Sequence, residues 1–346
     1  MHQIVVVVHA QPCYHERKWQ EVGGIVSMTT AALPRSKVKD QSRVALSVES
    51  FLEAVRREEL NLQSFMLLHH GEVAAETWWP PYQPNDQYHV FSLSKSFCST
   101  AVGLAAQEGL LSVDDLVLDY FPSYRTPDIE RNMGELRIRH LLTMSTGHTQ
   151  DPTGAIRNAA DGDWVRAFFE SPIEAAPGSL FVYNSGATYM LSAIVQAVTG
   201  QTTLEYLQPR LLKPLGIEQA TWEMCPRGIN TGGWGLRVTT EDIAKFGLLY
   251  LRKGLWQGQR LISEAWIEAA TVAHIPTPTE NGIDKRQGYG YQFWRCQPNG
   301  VYCGRGMKGQ FCIVLPEQDA VIAITSDENR MQLILDQVWE HLLPAL

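Results

Sequence analysis

Ser92 and Lys95 stand three apart in Phe91-Ser92-Leu93-Ser94-Lys95-Ser96-Phe97, which opens an apolar run at helical spacing reaching Leu110. On a helix, residues three apart share a face and can touch. A lysine in the first turn sits against the positive end of the helix. If it is also buried, its ammonium form is disfavoured and its pKa falls. A neutral amine beside a hydroxyl can take the hydroxyl proton, which turns the serine into a nucleophile. A serine N-cap followed by a solvated lysine satisfies the same pattern. Ser36-Lys37-Val38-Lys39 shows how readily the pattern arises: that copy lies in a polar linker with no apolar helix behind it and is set aside.

Tyr183 lies in Pro177-Gly178-Ser179-Leu180-Phe181-Val182-Tyr183-Asn184-Ser185-Gly186, ahead of a helical run from Thr188 to Val198. A tyrosine in such a loop can simply pack; held near cations, its phenol would have a lowered pKa and could shuttle protons. Gly304-Arg305-Gly306-Met307-Lys308-Gly309-Gln310 has the spacing of a dinucleotide fingerprint, but strand-like Phe311 to Leu315 follows where that motif needs a helix. It reads instead as a glycine-rich edge that approaches a ligand closely, with N–H groups able to form half of an oxyanion hole.

His69-His70 reads as a strand-end pair, since no His-Glu-x-x-His or carboxylate cluster accompanies it, and no metal is expected. A Gly-x-Ser-x-Gly elbow and a phosphate-binding Gly-x-x-x-x-Gly-Lys are both missing from the sequence. Trp78-Trp79-Pro80-Pro81-Tyr82 fits a packed strand end and a cleft wall equally well.

The elements that must position these groups divide by chain region. Val44 to Glu59 has the apolar period of an amphipathic helix, and Ser64–His69 with Val73–Trp79 reads as a β-hairpin around His70-Gly71-Glu72. From 92 to 280 the pattern is mostly helical, with Gly200, Gly216 and Gly254 as stop signals. Strands return at Tyr289–Trp294, Gln310–Leu315 and Ala320–Thr325, and a helix over Asn329–Leu343 closes the chain. Each end has too few strands for a sheet alone. The expected architecture is therefore α/β in the mixed, α+β sense: an antiparallel sheet flanked by terminal helices, plus a mostly helical lobe. Residues 28–90 and 281–346 form the discontinuous sheet lobe, 91–280 the helical lobe, and 1–27 an N-terminal extension.

Composition narrows the function classes. The chain has 346 residues, 45% hydrophobic and 19% charged, ordinary for a soluble globular protein. Its formal charge of −8 comes without a basic block, so nucleic acid is not an expected partner. No apolar run approaches the ~20 residues of a membrane span, and Ile4 to Val8 lacks the flanks of a signal peptide. The six cysteines are scattered, which suits free thiols in a reducing compartment and a cytoplasmic location.

In order and context the three segments resemble those of the serine β-lactamase-like hydrolases. That family includes class C β-lactamases, D-alanyl-D-alanine carboxypeptidases, related esterases and the 6-aminohexanoate-dimer hydrolase. The likeness runs from about residue 33 to the C-terminus and includes His140-Leu141-Leu142-Thr143-Met144-Ser145-Thr146-Gly147 and Tyr289-Gly290-Tyr291-Gln292-Phe293-Trp294. It implies a β-lactamase/transpeptidase-like fold with Ser92 as acylated nucleophile, Lys95 as its base and Tyr183 as proton donor to the leaving group. The backbone N–H groups of Ser92 and Met307 would hold the oxyanion, and Ser185, Gly306 and Arg305 would line the substrate.

Two departures from the family pattern matter. Tyr-x-Asn appears as Tyr183-Asn184-Ser185, and Lys-Thr-Gly as Gly304-Arg305-Gly306, without the cation that grips a β-lactam or peptide carboxylate. The expectation is a metal-independent, cofactor-free serine hydrolase forming an acyl-enzyme on small ester or linear amide substrates. β-Lactamase or carboxypeptidase activity, or a non-catalytic binding protein keeping the fold, are the alternatives.

Overall fold

The structure, a computed structural model, describes residues 32–36, 43–278 and 280–346. The expected 1–27 extension, Cys13 and Lys37 to Lys39 of the discarded Ser-x-x-Lys copy lie outside the described residues. Eleven elements position the site: α1 (Arg43–Arg57), β1 (Leu62–His69), β2 (Glu72–Trp78), α2 (Ser94–Gln107), α3 (Ser185–Thr199), α4 (Thr240–Leu251), β3 (Trp294–Arg295), β4 (Tyr302–Gly306), β5 (Gln310–Leu315), β6 (Ala320–Ser326) and α5 (Met331–Gln337).

The main sheet has the order β2-β1-β6-β5-β4-β3, antiparallel throughout. Its centre joins the two ends of the chain, with Phe65 opposite Ile324 and Leu67 opposite Ile322. β5 and β6 are buried at every position. Such unbroken apolar runs mean that both faces are covered.

Alternation along the strands assigns the faces. On one side Phe65 meets Phe51 of α1, ring centroids 5.0 Å apart, and Ile334 of α5 lies against Gly309. On the other, α4 presses Gly247 onto Val321 and Cys312, and the Ser64 hydroxyl bonds both Thr240 and Thr325 at 2.6 Å. α4 falls within 91–280, so the sheet layer takes one of its covering helices from the middle of the chain.

The expected strand at Tyr289–Trp294 is a correction. Only Trp294 and Arg295 join the ladder, because Gln292 takes φ +67° and its backbone bonds elsewhere: N–H to Leu142, carbonyl to the Ser96 hydroxyl. The closing helix is also shorter than expected, running in α form only over Met331–Gln337 before a wider turn over Val338–Leu342.

Among the described residues no helix is long and apolar enough to cross a membrane, and the five described cysteines are free and buried. His69 and His70 stack on each other at a strand end, and His70 faces Asp319 at 3.2 Å. Phe65→Ala should cost about 3–5 kcal/mol of unfolding free energy, since it empties a fully covered face. Urea unfolding measures this, and a loss under ~1 kcal/mol would contradict the covering of that face by α1.

Candidate active site

The site begins at a strained turn. A short 3₁₀ segment, Phe91–Leu93, precedes α2, and Phe91 sits at φ +46°, a left-handed conformation that costs a bulky residue of order 1–3 kcal/mol. Surrounding bonds hold it there. Val90 N–H donates to the Leu236 carbonyl at 3.0 Å; the Ser94 hydroxyl donates to the Phe91 carbonyl at 2.6 Å and accepts from Leu236 N–H at 3.2 Å. Leu236 belongs to a small sheet of Tyr88–His89, Leu236–Val238 and Thr221–Trp222, which anchors the turn carrying Ser92.

Lys95 is 1% exposed, so the solvated-lysine reading is excluded. Its Nζ donates to the Ser92 Oγ at 3.2 Å, the Ser185 Oγ at 2.9 Å and the Gly233 carbonyl at 2.7 Å. Burial pushes its pKa down to about 7, against a smaller opposing pull from Asp151. A neutral lysine has two N–H donors and one lone pair. The Gly233 carbonyl can only accept and Ser185 can take the second N–H, which leaves the lone pair for the Ser92 hydroxyl.

Tyr183 stands across the site from Lys95, whose Nζ is 4.9 Å from the centre of the phenol ring. Trp294 covers the ring, stacked at 5.5 Å and 24° between planes. The expectation of a lowered phenol pKa is corrected here. Burial drives it well up, and the Ser92 hydroxyl and Arg305 offset this only in part. Tyr183 therefore keeps its proton at neutral pH.

Asn184 turns away from the site. Its Oδ1 caps α3 through Ala187 N–H at 3.0 Å and its Nδ2 donates to Thr146 at 3.2 Å. Ser185, the first residue of α3, is the one that meets Lys95. The His140–Gly147 segment is scaffolding: the Met144 carbonyl accepts Val182 N–H at 2.9 Å and the Ser145 carbonyl accepts Gly178 N–H at 2.7 Å, which fixes the Tyr183 loop.

The glycine-rich edge is strand β4. A Cβ on Gly304 would lie 2.4 Å from Leu93 and 2.8 Å from the Ser96 hydroxyl; one on Gly306 would lie 2.2 Å from the Val90 carbonyl. Both glycines thus let β4 press against the turn that carries Ser92, and Met307, largely exposed, follows directly. Strand alternation turns Arg305 to the face opposite Gly304 and Gly306, where its guanidinium lies 6.0 Å from the centre of the Trp294 ring. One cavity of about 500 Å³, next to the Ser92 turn at Phe91, is walled by Tyr82, Tyr88, His89, Phe91 and Lys308, and another of about 770 Å³ is lined in part by His148 and Asp151. Tyr82 thus belongs to a cavity wall, and its hydroxyl accepts from Gln63 at 3.0 Å.

Two contributors escaped the sequence reading. Gly233 acts through its carbonyl, and only the cluster Thr231-Gly232-Gly233-Trp234-Gly235 signals it. Buried Gln292 joins Thr188 of α3 and the carbonyls of Leu141 and Leu142 by its side chain, and Ser96 of α2 by its backbone. Among the described residues no three His, Cys, Asp or Glu side chains gather as a metal-binding group.

The beta-lactamase family model matches residues 60–336, and the chain belongs to that family of serine hydrolases. A curated relative, the 6-aminohexanoate-dimer hydrolase of Paenarthrobacter ureafaciens, is 28% identical over 286 residues, covering 77% of this chain and 73% of its own. Among solved structures, EstCE1, described as a hydrolase with promiscuous acyltransferase activity, superimposes with a TM-score of 0.71 at 17% identity, covering 87% of this chain and 99% of that one. A family VIII carboxylesterase gives 0.69 at 14% identity, covering 88% and 98%. These two likenesses establish the fold.

Gly306→Ala should destabilise the protein by about 1–3 kcal/mol, because the atom in the way is a backbone carbonyl that cannot rotate aside. Thermal unfolding measures this, and an unchanged midpoint would mean that β4 does not press on the Val90–Ser92 turn.

Proposed function

We propose that the protein hydrolyses esters or linear amides through an acyl-enzyme on Ser92. The observation that carries this is the buried Lys95 amine, with a pKa near 7, bonded to the Ser92 hydroxyl. Neutral Lys95 takes the Ser92 proton as Oγ attacks the carbonyl carbon. The oxyanion settles between the backbone N–H groups of Ser92 and Met307, a reading supported by the close packing of β4 on the turn that carries Ser92. As the intermediate collapses, the C=O bond re-forms and the bond to the leaving group breaks. The leaving atom keeps the electron pair and takes a proton from Tyr183, which recovers one from the Lys95 ammonium. Water then repeats the sequence and releases the acid.

Ester or linear amide chemistry is favoured by the packing at Gly304. A lysine there, as in the family's Lys-Thr-Gly element, would collide with Leu93 and Ser96. The relatives named for a carboxylesterase and for hydrolysis of a linear amide dimer agree with this choice. Against a binding protein without chemistry stands Lys95 itself: burying an amine at that cost has no use in passive recognition.

A fluorophosphonate should add covalently to wild type, seen as an intact-mass increase, and Ser92→Ala should abolish both the adduct and turnover of a 4-nitrophenyl ester. Turnover persisting in Ser92→Ala would overturn the assignment. With wild type, kcat/KM should rise with pH and reach half its plateau at about pH 7, as Lys95 loses its proton. Lys95→Ala should lower the plateau by roughly 100-fold or more and remove that limb. In parallel assays, short-chain esters and linear amides should be hydrolysed well ahead of a chromogenic β-lactam.

A further inference from the structure

Arg305 is 6% exposed, and its Nε and Nη1 have no hydrogen-bond partner. Among the described residues no carboxylate forms an ion pair with it. A buried, unpaired cation is costly, and an apolar side chain of similar volume would usually be more stable there. What surrounds the guanidinium is aromatic: its central carbon lies 5.4 Å from the Phe311 ring centre and 6.0 Å from that of Trp294. Such distances are the outer range of cation–π attraction, and a flat guanidinium stacks where an ammonium cannot.

Trp294 in turn is boxed. Tyr289 meets it edge-on at 4.7 Å and Phe181 at 5.7 Å, while Lys285, bridged to Glu280 at 3.6 Å, places its ammonium 5.5 Å from the ring. Trp294 stacks on Tyr183 with ring centres 5.5 Å apart, and the Lys95 ammonium lies 4.9 Å from the centre of that phenol ring. Phe311, Arg305, Trp294, Tyr183 and Lys95 thus form one continuous series of ring and cation contacts ending at the amine bonded to Ser92. The charged groups acting on Tyr183 are Lys95, Arg305, Asp151 and Glu280.

We propose that Arg305 is a positioning residue: held between Phe311 and Trp294, it presses Trp294 flat onto Tyr183 and so keeps the phenol aimed at the leaving group. This rests on Tyr183 protonating that group, as set out above. The proton passes from the phenol oxygen to the departing oxygen or nitrogen as its bond to carbon breaks. The need is greatest for an alkoxide and small for nitrophenolate, which leaves without a proton. Arg305 therefore matters in proportion to how poor the leaving group is, a dependence that mere structural support would not produce.

The test compares kcat/KM for an ethyl ester and a 4-nitrophenyl ester of the same acid. Arg305→Met is expected to lower the ethyl-ester value by about 10-fold and the nitrophenyl value by less than about 2-fold, the same selective pattern as Tyr183→Phe in milder form. Arg305→Lys keeps the charge but loses the flat plate; it should show the same selectivity at about 3-fold, and it carries the test if Arg305→Met does not fold. Equal losses on both esters, or none on either, would overturn the role of Arg305. Absence of the Ser92 adduct in wild type, or an unselective Tyr183→Phe, would instead remove the catalytic reading and the proposal with it.

Discussion

Desolvation of one amine governs the site. Lys95 enters the first turn of α2, where the helix end is already positive, and is buried there. Shifting it from its ordinary 10.5 to about 7 corresponds to about 5 kcal/mol held against the charged form. Three separate regions converge to make that tolerable: the nucleophile turn offers Ser92, the start of α3 offers Ser185, and the loop before α4 offers the Gly233 carbonyl. Without any one of them, an N–H or the lone pair of the buried amine would be left unsatisfied. The packing of α2, α3 and the 231–235 loop can thus be understood as a cage built around one nitrogen.

Glycine serves the same site by subtraction. At Gly304 and Gly306 the missing side chains let a strand touch a helix end, and the contact supports a turn whose Phe91 is strained. Of the two, Gly304 stands where the resemblance would put a lysine, while Gly306 keeps the glycine of the Lys-Thr-Gly element.

The Ser92 and Lys95 side chains are legible in the sequence, whereas of the main-chain contributors only the glycine-rich edge is. Ser92 and Lys95 could be recognised because helical spacing and an apolar continuation constrain them, and the discarded copy at Ser36 lacks that continuation. The position of Tyr183 could be read, but its electrostatics could not, since proximity to cations was foreseeable while the covering by Trp294 was not. Gly233 works through a backbone carbonyl that every residue possesses, so residue type hardly announces it, and the side chain of Gln292 is hidden in an apolar run that reads as a strand. β4 was hidden because its glycines weaken the strand pattern, and Tyr289–Trp294 misled because its apolar run serves a loop pinned by Gln292. The two-ended sheet was inferred from strand shortage alone. That α4 comes out of the central region to cover one face follows from packing between Gly247, Val321 and Cys312, which no local pattern encodes.

The two-ended sheet also dictates an order of assembly. β1 finds its main partner in β6, with Ser64 bonding Thr325 across 261 positions of chain. During synthesis the front hairpin must wait, one apolar edge unpaired, until nearly the whole polypeptide has emerged. High contact order of this kind slows folding and prolongs the exposure of aggregation-prone surface. Because β4 and β5 are threaded into the same late step, the strand that presses on Ser92 arrives after the helix that bears it. The turn and helix that bear Ser92 and Lys95 precede in the chain the strands that pack against them, so the site is complete only when the C-terminal strands have docked.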